Sequence, residues 1–159
     1  MGRWLSAVGS TVRLPRSGTN SQEPTADGKT VSTALFHAHS GLRYLVLLAA
    51  LVAVAYLLRG WLARRAWDSV ARIVGAIFTG LLDLQGLLGI GVALARPWQG
   101  PYVGHVVMML LAIVAAHALG GSARRLADDH ARYGRALLAV VVPIVLVVGG
   151  ILAIGRRVV

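Results

Sequence analysis

The 159-residue chain contains no cysteine. Disulfides, thiolate catalysis, iron–sulfur clusters and covalent c-type haem attachment are therefore excluded. Acid is scarce as well. Six Asp and Glu stand against sixteen Lys and Arg, a formal net charge of +10. The chain has no Ser/His/Asp set, no paired carboxylates and no glycine-rich phosphate loop. No constellation for a hydrolase or transferase remains, and no enzyme activity is assigned. What the chain has in quantity is hydrocarbon: 57% of its residues are hydrophobic, gathered mostly into four blocks. That distribution belongs to a membrane protein rather than to a soluble core.

The four blocks predict spans at about 40–61, 73–94, 102–119 and 136–154. Each is near the roughly 20 residues that a helix needs to cross a bilayer core. The expected fold class is all-α: a four-helix transmembrane bundle over 33–159, built from two tandem helical hairpins. An irregular polar tail over 1–32, rich in Gly, Ser, Thr and Pro, precedes it. Alone, that composition cannot bury enough apolar surface to order itself. The tail is expected to lie on a neighbouring subunit. Pro143 is expected to kink the fourth span or loosen its hydrogen bonds.

The basic residues sit at span ends. The first connection carries Arg59, Arg64, Arg65 and Arg72, and the third carries Arg124, Arg125, Arg132 and Arg135. The middle connection carries Arg96 alone. This asymmetry predicts a multi-pass protein of the bacterial inner membrane. Its first and third connections face the cytoplasm and both termini the other side. Trp98 and Tyr102 read as an interfacial belt on that other side. Arg64, Arg65, Arg124 and Arg125 read as orientation and lipid-headgroup residues, so lipid is a partner and nucleic acid is not.

A repeat underlies this pattern. Ala63-Arg64-Arg65, Asp68 and Ala71-Arg72 recur sixty residues later as Ala123-Arg124-Arg125, Asp128 and Ala131-Arg132. Duplication and convergence on a common hairpin both account for it. In either case Asp68 and Asp128 are expected to cap the second and fourth helices. Small residues crowd the second span at Ala76, Gly80, Gly86, Gly89 and Gly91, and Gly149 and Gly150 lie in the fourth. They serve either close helix packing or room for a flat cofactor or lipid tail.

Polar side chains inside spans are the functional candidates. Asp83, with Gln85 beyond it, lies mid-span, and His117 lies at similar depth on an antiparallel helix. A buried Asp83–His117 pair is expected, either to fix helix register or to act as a proton relay or quinone contact. His39 and His105 open spans that run in the same direction. Two neutral imidazoles from two helices are how bundles hold b-type haem. His37 and Met109 are further candidate ligands. Counting from the arginine ends, straight helices would leave His39 and His105 about 9 Å apart in depth. No thiolate or carboxylate joins them, so no separate metal site is assigned. His130 is expected to be solvated in the third connection.

The series His39-Ser40-Gly41-Leu42-Arg43-Tyr44, Leu82-Asp83-Leu84-Gln85, Gly104-His105 with Met109, and His117 resembles a family of small bacterial four-helix membrane proteins, often described as cytochrome-b-like. The resemblance covers about 40–123 and implies the four-helix fold. The preferred expectation is a small integral subunit of a respiratory or photosynthetic electron-transfer complex, carrying one b haem near the non-cytoplasmic face. The alternative is a haem-free accessory subunit that stabilises a larger complex through its helices, bound lipid and tail.

Overall fold

The computed structural model describes residues 26–95 and 100–155. It contains four helices: α1 (Ala26–Leu62), α2 (Ser69–Ala95), α3 (Gly100–Ala123) and α4 (Asp129–Ala153). There is no strand among the described residues. All four helices are long and apolar enough to cross a membrane. The protein is a multi-pass, all-α bundle.

The helix ends are set by caps rather than by the edges of the apolar runs. Asp68 Oδ1 accepts from Ala71 N at 2.8 Å, and Asp128 Oδ2 accepts from Ala131 N at 2.7 Å. Both carboxylates satisfy free donors in a first helical turn, where the helix dipole favours negative charge. α2 and α4 therefore begin before the expected starts at 73 and 136, and they begin sixty residues apart. The preceding helices end differently. At the end of α1, Arg65 N donates to Gly60 O and Arg64 N to Trp61 O, with Arg64 at φ 49°. This is a Schellman cap built on a non-glycine residue. α3 ends instead in i→i−3 bonds from Arg125 to Ser122 and from Leu126 to Ala123.

α1 corrects the expected tail boundary. It starts at Ala26, so 26–32 is helical rather than irregular. Asp27 sits favourably in the first turn, and the hydroxyls of Ser32 and Thr33 donate to Lys29 O at 2.9 Å. These local bonds let polar residues continue a helix. At 37 residues, α1 spans about 55 Å, well beyond a hydrocarbon core of about 30 Å. The expected tail contact with a neighbour falls on 1–25, and the Trp98 part of the belt on 96–99, both outside the described residues. Tyr102 is exposed on α3. α4 continues through a buried Pro143 without a break.

The core follows alternating three- and four-residue steps. Val46, Ala50, Ala53 and Leu57 line α1; Phe78, Leu82 and Gln85 line α2; Val140 and Val147 line α4. This is the spacing of left-handed helix packing. Large apolar side chains cover the outside as well, among them Leu51, Leu87, Val114 and Val145. Lipid is as apolar as this core, so close packing rather than hydrophobic transfer must hold the helices together. α1 packs broadly on α2 and on α4, and α3 packs on α4. The α2–α3 seam is narrower.

The α1–α4 contact is reciprocal. A Cβ on Gly60 would lie 2.3 Å from Cε1 of Tyr133, and one on Gly134 would lie 3.1 Å from Nε1 of Trp61. Each helix offers a glycine to the other's aromatic ring. Around this crossing the two arginine-rich turns interlock. Tyr133, fully buried, donates to Ala66 O at 3.3 Å and meets Trp67 edge-on at 4.8 Å. Arg132 lies over Trp67 and donates to Leu126 O. His130 stacks on Trp61 at 5.4 Å, which corrects the expectation that it is solvated. Arg64, Arg65, Arg124 and Arg125 are all exposed at this end of the bundle.

Candidate functional sites

The end of the bundle opposite the interlocked turns holds the first site. His39 on α1 and His105 on α3 approach across the bundle, ring centroids 6.4 Å apart and planes perpendicular. The 9 Å depth offset expected for straight, equally tilted helices does not separate the rings. Each imidazole is tied to a neighbouring main chain. His39 Nδ1 lies 3.2 Å from Gln85 O, and His105 Nδ1 lies 3.0 Å from Gly150 O. A carbonyl only accepts, so in each of these two contacts Nδ1 is the donor. A metal-ligating histidine commonly has its second ring nitrogen held by a carbonyl in this way.

Gln85 was visible in the sequence as a polar residue inside a span, but no partner could be named for it. The fold supplies one. Its Nε2 donates to His39 O at 2.9 Å and lies 3.2 Å from His39 Nδ1 and 3.4 Å from His39 Nε2. Its Oε1 is buried with no hydrogen-bond partner. Arg43, one turn from His39, is also half-buried. It donates to Tyr44 OH at 2.7 Å, while its Nε has no partner. No carboxylate among the described residues pairs with it.

The small residues are used for close packing at this end. A Cβ on Gly89 would lie 3.0 Å from His39 Cε1, and one on Gly150 would lie 2.8 Å from Met109 Cε. A Cβ on Gly86 would meet Ile113 at 2.5 Å. Met109, a candidate ligand by sequence, thus packs on α4 beside His105. His37 is not brought into the site. It is exposed and makes an edge contact with Phe36 at 5.9 Å. Two residues along a helix is about 200°, which turns it away from His39.

The second site joins α2 to α3. His117 Nε2 lies 3.0 and 3.1 Å from the two carboxyl oxygens of Asp83. The expected pairing is present, but the expected burial is not. The His117 side chain is 56% exposed and that of Asp83 39%. The cause is the narrow α2–α3 seam, which brings the two side chains together at its edge rather than inside it.

A third polar cluster centres on Asp68, in the first connection. Asp68 accepts from Tyr56 OH at 2.6 Å as well as from Ala71 N. These two bonds favour the ionised carboxylate and hold its pKa below the ordinary value. The cluster is structural: it locks the first turn. No family model matches the chain, and no curated protein or solved structure is detectably similar to it.

Proposed function

We propose that the protein is a small integral subunit of a membrane electron-transfer complex that holds one b-type haem between His39 and His105. The carrying observation is the pair of imidazoles 6.4 Å apart, each with Nδ1 on a main-chain carbonyl. Two imidazoles from two helices, with ring centroids 6.4 Å apart, are the donor set with which helix bundles hold b-type haem. The residues present therefore suit the group. His39 and His105 would be the ligands through Nε2. The carbonyls of Gln85 and Gly150 hold their ring orientations. Arg43 is the cation available to the carboxylates of a haem. The bound haem would supply one-electron transfer. Placement in a bacterial inner membrane, with the arginine-rich turns in the cytoplasm, completes this reading.

Spectroscopy on the purified protein tests it. Added haem is expected to bind one per chain and to give a low-spin reduced-minus-oxidised spectrum. His39→Ala or His105→Ala should each abolish that spectrum, and His37→Ala should not. A spectrum unchanged by haem addition, or one retained in the His39/His105 double variant, would overturn the reading.

A further inference from the structure

We propose that the face of α2 and α3 bearing Asp83 and His117 is a two-fold interface between two copies of this chain, each Asp83 facing His117 of the partner subunit. The inference goes beyond the haem reading and uses none of its residues. Asp83 lies near the midpoint of the 27-residue α2, so its carboxyl is at the depth of the hydrocarbon centre. An ionisable pair does not persist against acyl chains; such groups face other protein or a polar cavity. Yet this pair is half exposed in the single chain. Something polar covers it.

The chemistry of the patch selects the occupant. It carries one acid and one base 3.0 Å apart, hence at one depth. Rotation by 180° about the membrane normal preserves depth and sets acid against base. The patch is thus complementary to itself, as an isologous interface requires. Two copies make a closed set of two carboxyls and two imidazoles, in which each group has two opposite partners. The free Nδ1 edge of His117 then also faces protein instead of lipid.

The surroundings allow close approach. Ala76 and Gly80 share the stripe of α2 that carries Asp83, spaced seven and three residues before it, and both are exposed. A Cβ on Gly80 would meet nothing within 4 Å. This contrasts with Gly86 and Gly89, whose faces are filled from within the chain. Small residues at such spacing let membrane helices cross with their backbones near each other.

The test uses the absence of cysteine. Ala76→Cys gives a single thiol on the proposed axis, and Val145→Cys a single thiol on the exposed outer face of α4. In liposomes under mild oxidation, Ala76→Cys is expected to yield a disulfide-linked dimer and Val145→Cys to remain uncrosslinked. Wild-type chain carrying one terminal fluorophore should bleach in two steps in supported bilayers. Asp83→Asn should raise the dimer dissociation constant roughly tenfold. Dimer yields equal for the two cysteine variants, single-step bleaching of wild type, or an unchanged constant for Asp83→Asn would each overturn the proposal. The bleaching measurement needs no substitution, so a misfolded variant cannot mask the answer. His39→Ala should leave the dimer intact, which separates failure here from failure of the haem reading.

Discussion

Gly60→Ala is the most severe small substitution that the structure defines. The added methyl carbon would lie 2.3, 2.6 and 2.7 Å from Cε1, Cζ and Cδ1 of Tyr133. These distances are far inside van der Waals contact, and the obstacle is a rigid ring rather than a flexible chain end. The ring cannot retreat cheaply. It is fully buried, abuts Trp67, and donates through its hydroxyl to Ala66 O. Displacing it breaks that bond and opens the interlocked turns. Overpacking of this kind costs about 1–3 kcal/mol, and the lost hydrogen bond about 1 more. The better helix propensity of alanine returns about 1 kcal/mol. A net loss of about 1–3 kcal/mol is expected, read as a lower midpoint in reversible unfolding of the detergent-solubilised protein. Gly41→Ala is the control: its Cβ meets nothing within 4 Å, so it should stabilise by roughly 0.5–1 kcal/mol. Combining Gly60→Ala with Tyr133→Ala should show a favourable coupling of about 2 kcal/mol, because the clash is gone. Equal stability of Gly60→Ala and Gly41→Ala, or additivity in the double variant, would refute the reciprocal packing of α1 on α4.

Three further outcomes follow from the turns and the histidine site. Arg64 holds a left-handed conformation at φ 49°, so Arg64→Gly should raise stability by about 0.5–1 kcal/mol in the same unfolding assay. The folded pKa of Asp68 lies below its ordinary value of 3.8, so its stabilisation is complete above 3.8 and is lost as pH falls through the folded value. Unfolding midpoints compared between neutral and acid pH should therefore show a smaller drop for Asp68→Asn than for wild type. Gln85→Leu deletes the amide's bond to His39 O, its longer contacts with the His39 ring and one unpartnered buried acceptor, but keeps the Gln85 carbonyl that His39 uses. Stability should change by less than about 1 kcal/mol, and added haem should bind with an unaltered optical spectrum.

The placement of the polar side chains shows where a sequence reading reaches its limit. Asp83 and His117 were assigned to each other by counting residues from helix ends, and they do meet. Counting gives depth but not azimuth, so it could not reveal that they meet at the edge of a narrow seam. For His39 and His105 the same count predicted an offset, because it assumed equal tilt and straight helices. Gln85 was legible as a polar residue and silent as to partner, since its neighbour lies 46 residues away. The glycines split in a way that no spacing announces: Gly60, Gly86 and Gly89 are filled from inside the chain, and Gly80 is open.

The sequence by itself determined the class, the number of spans and the caps at Asp68 and Asp128. Each of these rests on local physics: the length of an apolar run, or a carboxylate two or three residues from free backbone donors. It also marked which few side chains had to find partners, because ionisable groups are rare in hydrocarbon. Only the tertiary structure decided which partners they find and on which side of the bundle they lie. That choice depends on helix tilt and on reciprocal fits such as Gly60 against Tyr133, and these arise from the shapes of residues far apart in the chain.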